Sequence, residues 1–297
     1  MNSTTPSDRL LSRRDTLRLT AAAATGLLVT NSLADQAPAI KGRIKQSICY
    51  WCFRESWSVE QLAAIARQLG CASVELVEAK YWPLLKQMGL TCAISSSHGF
   101  VKGMNNPAHW DYCFEILRKR IDDASVMGVP NVITFTGMRE NISDDVGLKN
   151  CVEGYKKIIG YAEDKKVTLC LEMLNSRDDS HPMKGHPGYQ GDHTEYCIDI
   201  IKQVGSPRLK LLFDIYHVQI MDGDVIRRIR QHKEYLGHVH TAGNPGRCEL
   251  GARQEIQYGA IMQALVDVGY MGYVGHEFIP TRDPLQGLKE AVAVCDV

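Results

Sequence analysis

Short apolar runs recur along this chain at residues 46–51, 73–78, 91–97, 131–136, 167–174, 209–216, 235–241 and 272–278. Between them, hydrophobic positions return at helical spacing over 59–69, 81–88, 110–127, 146–164, 194–204, 224–234, 258–268 and 285–294, one apolar face per 3.6 residues. Strand and helix therefore alternate throughout, which argues for a parallel sheet with helices packed against it. Eight such units predict an α/β fold, a (β/α)8 TIM barrel. An open doubly wound sheet satisfies the same alternation, but no Gly-x-Gly-x-x-Gly follows the first run, as a dinucleotide-binding version would need. Gly70, Gly89, Gly128, Gly205 and Gly269 each fall between a helical stretch and the next strand, where a residue of positive φ commonly ends a helix.

Four chemically active side chains stand at or near the ends of four successive late runs: Glu172, Asp214, His240 and Glu277. Parallel strands of a barrel deliver their C-terminal ends to one face, so residues far apart in sequence can converge there. A buried carboxylate needs a cation, a hydrogen-bond donor or a proton. Taken singly, Glu172 and Glu277 can pair with local arginines, and Asp214 can cap the helix after it. Taken together, three carboxylates and an imidazole suit one hard or borderline divalent ion. The longest irregular stretches, 99–109, 175–193 and 243–257, follow strands three, five and seven and so leave the same face, where long loops tend to carry function.

Composition narrows the picture. With 297 residues, 44% hydrophobic and 23% charged, the chain suits one large core. The 34 basic and 34 acidic residues cancel, which argues against nucleic acid or an anionic membrane surface as a partner. The N-terminus reads differently. Ser12-Arg-Arg-Asp-Thr-Leu-Arg18 precedes an alanine-rich apolar stretch ending at Val29, and Ser32-Leu-Ala34 offers small residues for cleavage. Residues 1–34 are read as a twin-arginine export signal, with 35–297 as a single catalytic domain in the periplasm and no membrane span after cleavage. An uncleaved helical arm or anchor is the alternative. All ten cysteines follow the signal and are expected to be buried thiols, since a core this large needs no disulfides. Cys49-Tyr-Trp-Cys52 lies in a β-type run and does not open a helix, which argues against a redox centre.

The last third of the chain carries a resemblance. Asp214-Ile-Tyr-His217, Gln219-Ile-Met-Asp-Gly223, Gly237-His-Val-His-Thr-Ala-Gly243, Pro245-Gly-Arg247 with Glu249, and the run from Val268 to Glu277 resemble the hydroxypyruvate isomerase family. That family belongs to the xylose-isomerase-like barrels, alongside the ketose 3-epimerases. The resemblance implies an isomerase or epimerase acting on a small hydroxy-carbonyl compound or sugar, with a Mn²⁺, Mg²⁺, Co²⁺ or Zn²⁺ ion held by Glu172, Asp214, His240 and Glu277. It implies proton transfer by Glu172 and Glu277 through an enediolate, chemistry that needs a base, a proton return and positive charge near the oxyanion. His217 and Arg247 become candidates to grip substrate oxygens; a ligand-orienting role for His217 and a loop-ordering role for Arg247 are their alternatives. His98 and His186 are candidate pocket residues. His238 and His276 are expected to point away from the ligand face, and Trp51, Phe53 and Phe100 to pack in the rim outside the site. His240 and the spacing to Arg247 mix epimerase and isomerase features, which leaves the substrate open; self-association is open too. Competing readings are a metal-dependent lyase or dehydratase on the same barrel, a phosphodiesterase resembling endonuclease IV, and a non-catalytic exported sugar-binding protein. The phosphodiesterase calls for more histidines and a basic face, and the pair of glutamates argues against the binder.

Overall fold

Eight parallel strands form one sheet in the order β2-β1-β8-β7-β6-β5-β4-β3 in the computed structural model, which describes residues 40–297. The segment 1–34, read above as an export signal, lies outside the described residues. The strands are β1 (Lys45–Cys49), β2 (Ser73–Glu75), β3 (Ile94–Ser95), β4 (Asn131–Thr134), β5 (Thr168–Glu172), β6 (Leu209–Asp214), β7 (Leu236–Thr241) and β8 (Tyr273–His276). Backbone bonds join the two ends of that order: Val74 N–H donates to the Thr91 carbonyl (3.2 Å) and Leu76 N–H to the Ile94 carbonyl (3.1 Å). The sheet thus curls back on itself, as a barrel does and an open doubly wound sheet does not.

The described helices are α1 (Val59–Gln68), α2 (Trp82–Gln87), α3 (Trp110–Met127), α4 (Asp144–Asp164), α5 (Thr194–Val204), α6 (Ile215–Met221), α7 (Val225–His232), α8 (Tyr258–Asp267) and α9 (Pro284–Cys295). Each expected helical stretch is present. Helix α1 shows why: Ser58 and Gln61 form a reciprocal capping box at its start, and Val59, Leu62, Ala63 and Ala66 bury one face, the pattern that stabilises a short helix in a protein. Helices α3 and α5 end on Gly128 and Gly205 at φ 76° and 75°, left-handed values that favour glycine.

Most strands are shorter than the apolar runs that predict them, the second and third shrinking from 73–78 and 91–97 to Ser73–Glu75 and Ile94–Ser95; two of these boundaries have a plain local cause. The sixth strand stops at Asp214, and α6 begins at the next residue because the Asp214 carboxylate accepts the Tyr216 N–H (2.9 Å). Ile215 and Tyr216 are apolar in either conformation, so the cap decides what periodicity could not. The first strand likewise ends at Cys49, and Tyr50–Cys52 form a 3-10 turn. All ten cysteines are free, eight of them buried.

Alternation along the strands gives the barrel two surfaces. Leu169, Leu171, Leu209, Leu211 and Phe213 join the large core shared with the helices. Cys170 and Leu212 join Ile94 and Ile133 in a second, smaller core inside the barrel. The inner faces of β1, β2 and β7 are polar instead, with Ser47, Cys49, Glu75, His238 and His240 all buried. No helix among the described residues is long and apolar enough to cross a membrane.

Candidate active site

Strands β5, β6 and β7 and the residue just after β8 bring Glu172, Asp214, His240 and Glu277 together, with one ligand-type atom from each lying within 4.8 Å of the others. All four are buried. His240 Nδ1 stands 2.8 Å from Glu277 Oε2 and 3.5 Å from Glu172 Oε1. Neither that nitrogen nor Glu172 Oε1 has a hydrogen-bond partner among the described residues. Buried polar atoms are seldom left so. Two unpartnered ligand-type atoms within a cluster of three carboxylates and an imidazole are a set that could hold a divalent cation.

Charge is crowded here. Burial, reinforced by the Glu277 charge and opposed by Arg247, pushes the Asp214 carboxyl up to about 7. Burial likewise raises Glu172. Glu277 goes the other way: burial alone would raise it, but His240 and Arg247 outweigh that and hold it well below the usual carboxylate range. Burial also opposes charging of His240, yet the Glu277 carboxylate leads the groups that hold its pKa well above normal. In the ion-free protein, protons therefore occupy ground that a cation would contest.

A cavity of about 310 Å³ opens above the cluster, lined on one side by Glu172, Glu277, Arg247 and His186. Leu76, Ile133, Phe135 and Leu174 form an apolar wall. Asp214 and His240 are not among the lining residues; only the two glutamates of the four reach the cavity. The loops after β3, β5 and β7 contribute Phe100, His186 and Arg247 respectively, the placement their length and strand-end position predicted.

The remaining candidates separate. Arg247 is buried and donates from Nη2 to Glu277 Oε2 (2.5 Å) and Asp214 Oδ2 (3.3 Å), and from Nη1 to the Met183 carbonyl (2.6 Å). Its guanidinium lies against the Trp51 and Tyr216 rings. It orders its loop while lining the cavity. His217 accepts the Asn175 backbone N–H at Nδ1 (3.0 Å), its Nε2 stands 3.5 Å from Asp214 Oδ2, and it does not line the cavity; its place is against a ligand candidate. His186 lies over Phe100 with ring centroids 4.2 Å apart, and burial lowers its pKa to about 4, so it is neutral near pH 7. His98 does not reach the cavity: its ring nitrogens are taken by the Lys102 carbonyl (2.9 Å) and Thr134 Oγ1 (3.1 Å), and its ring edge supports Phe135.

Three residues left outside the site by sequence reasoning belong to it. Trp51 donates its indole N–H to Glu277 Oε1 (2.7 Å), and Phe100 lines the cavity; Phe53, by contrast, packs edge-on against Phe278. Glu75 accepts from His240 Nε2 (2.8 Å) and His238 Nε2 (3.0 Å). His238 therefore faces inward with His240, contrary to expectation, because residues two apart on a strand share a face. His276, one residue from Glu277, faces outward to Gln46 (2.8 Å) as expected. A carboxylate between Val74 and Leu76 in an apolar run was the available signal for Glu75.

Two substitutions probe this architecture. Trp51→Phe leaves Glu277 Oε1 without its donor, and turnover is expected to fall roughly ten- to a hundredfold, the rate equivalent of a charge-assisted hydrogen bond worth about 1.5–3 kcal/mol; steady-state kinetics beside wild type reads this. Gly243 and Cys248 exchange backbone bonds of 2.7 and 3.1 Å below the Arg247 loop, and a Cβ at 243 would meet the Glu249 carbonyl oxygen at 2.3 Å. Gly243→Ala is expected to cost about 1–3 kcal/mol, measured by urea unfolding.

Residues 63–296 match the family described as the xylose isomerase-like TIM barrel. A mouse protein provisionally named a hydroxypyruvate isomerase is 32% identical over 59% of this chain and 63% of its own length. The hydroxypyruvate isomerase of Escherichia coli is 34% identical over 46% of this chain and 50% of its own. The match thus spans less than two thirds of either relative. Among solved structures, the D-psicose 3-epimerase of Clostridium cellulolyticum, crystallised with D-tagatose, superposes with a TM-score of 0.67 at 19% identity, over 85% of this chain and 97% of the other, a likeness of fold.

Proposed function

The chain belongs to the xylose isomerase-like TIM barrel family, and on that premise we propose that it is a metal-dependent isomerase or epimerase of small hydroxy-carbonyl compounds, moving a proton between neighbouring carbons by way of an enediolate. One observation carries the reading. Of the four clustered ligand candidates, Glu172 and Glu277 are the two that also line the cavity. A binding protein has no need of two carboxylates presented in this way, whereas proton abstraction and return needs both.

Glu172, Asp214, His240 and Glu277 would hold the ion. When bound, a divalent ion supplies Lewis-acid stabilisation of negative charge on the substrate's oxygens. The rest falls to the chain itself. Glu277 is fixed by Trp51 on one oxygen and Arg247 on the other, so its carboxylate is aimed before substrate arrives. Glu172 is anchored through its backbone carbonyl, which accepts the Tyr189 hydroxyl (2.8 Å). Either glutamate can then take the proton and the other return it. Neutral His186 offers a hydrogen bond at the rim, and the wall of Leu76, Ile133, Phe135 and Leu174 keeps water from the reacting carbon.

Arg247 is the cationic side chain lining the cavity, and it is shared between Glu277 and Asp214. An uncharged hydroxy-ketone suits such a lining better than a 2-oxo acid, whose carboxylate would ask for a free cation. The test is solvent-deuterium incorporation, followed by NMR, into hydroxypyruvate and a panel of C3 to C6 ketoses with Mn²⁺-loaded protein. Deuterium entering the carbon beside the carbonyl supports the reading; ion-loaded protein that binds a ketose yet exchanges nothing makes it a binder. The Arg-Arg segment before residues 19–29 supports export to the periplasm, which cell fractionation with and without the two arginines checks.

A further inference from the structure

We propose that Glu75 is a positioning residue that fixes His240 in the Nε2–H tautomer, so that Nδ1 alone is presented to the ion. The inference rests on the metal reading above and extends it to a carboxylate that belongs neither to the four clustered ligand candidates nor to the cavity lining.

Glu75 lies on the inner face of β2, fully buried, and one of its oxygens does unusual duty. Oε1 stands 2.8 Å from His240 Nε2, 3.0 Å from His238 Nε2 and 3.1 Å from the Cys49 thiol. An ionised carboxylate only accepts. Each imidazole must therefore turn a protonated Nε2 towards it. For His240 that choice leaves Nδ1 facing Glu277 and Glu172, the nitrogen found without a hydrogen-bond partner. A histidine whose second nitrogen donates to a carboxylate is held in one ring orientation and is a more basic ligand.

The surroundings keep this carboxylate in place. On β8 a Cβ at position 275 would meet Glu75 Oε1 at 2.3 Å and the His240 ring at 3.0 Å, so glycine there leaves room for the contact. The His238 ring stands edge-on to that of His240, centroids 4.9 Å apart, and its own bond to Glu75 ties the carboxylate from two residues earlier on the same face of the strand. A buried acid kept merely for stability would not require that the two inward imidazoles of β7 share one of its oxygens with a thiol.

The decisive measurement uses the wild-type chain loaded with Zn²⁺ and labelled with ¹⁵N-histidine. Long-range ¹H–¹⁵N correlation should show His240 protonated at Nε2 and metal-bound at Nδ1. Glu75→Gln should then weaken Co²⁺ binding about 10- to 100-fold and alter the Co²⁺ visible spectrum, while circular dichroism of the ion-free protein stays unchanged. Gly275→Ala, which crowds the same oxygen from another strand, should shift affinity in the same direction. Ligation through Nε2, or a folded Glu75→Gln with unchanged affinity and spectrum, overturns the inference and leaves the metal site standing. So does a stoichiometry of two ions, because Cys49, Glu75 and His240 also bring ligand atoms within 4.8 Å of one another and would then be ligands themselves. A wild-type chain that takes up no Zn²⁺ or Co²⁺ removes both readings. Should Glu75→Gln fail to fold, the wild-type spectrum still decides.

Discussion

Glu277→Gln is expected to slow proton exchange between substrate and solvent by about a hundred- to ten-thousand-fold, the range a positioned general base supplies. The amide keeps the shape of the side chain and an oxygen for the Trp51 N–H, so the cavity should survive; what disappears is the basic oxygen and the charge that Arg247 and His240 face. Glu172→Gln should be as damaging, since return of the proton is as necessary as its removal. The two losses should not multiply in the double variant, because groups acting on one proton work as a unit. Metal content must be measured alongside. A Glu277→Gln protein that retains its ion and exchanges at the wild-type rate would remove Glu277 from the catalytic role.

Stripping the ion should abolish exchange altogether, with recovery on adding Mn²⁺, and Asp214→Asn or His240→Ala should prevent that recovery at ordinary ion concentrations. Stability should move as well. An ion present at a hundred times its Kd stabilises the fold by about 2.7 kcal/mol, visible as a rise in Tm. The pH dependence follows from Asp214, whose folded pKa of about 7 lies above the unfolded value of about 3.9. Between these values the folded, ion-free chain binds more protons than the unfolded one. Asp214's contribution to stability is then fully present below about 3.9 and lost as pH rises through about 7. The ion competes with the same proton, so its affinity should climb over that interval and the thermal shift on adding Mn²⁺ should be larger at pH 7.5 than at pH 5.5. Equal shifts at the two values would separate Asp214 from ion binding.

The barrel was legible because its signals are repetitive. Each strand carries a compact apolar run and each helix a 3.6-residue stripe, and eight repetitions leave few architectures open. The four clustered residues were legible for a related reason: an acid or imidazole at the end of an apolar strand has no structural excuse, and four in succession share one. Glu75 escaped because it stands on a strand of only three residues, Ser73–Glu75, where a terminal position looks like an interior one. Its partners are 163 and 165 residues away in sequence, beyond any local pattern. Trp51 escaped because an indole is as comfortable in a barrel rim as over an acid; only its N–H, aimed at Glu277, distinguishes the cases. His98 failed in the opposite direction. A polar residue at a strand end was counted toward the site, but one of its nitrogens serves the loop that follows and the other the Thr134 hydroxyl on β4.

The closure between β2 and β3 carries a consequence for traffic through the barrel. Ladder pairing is continuous around the rest of the circumference, whereas this junction relies on a few backbone bonds near Val74, Leu76 and Thr91. Leu76, Ser96 and Ser97 flank it and also border the chamber. The least-stitched stave is thus also a doorpost: any widening of the cylinder is expected to start there, since β5 to β8, which keep the acids and imidazole in register, are more fully laced.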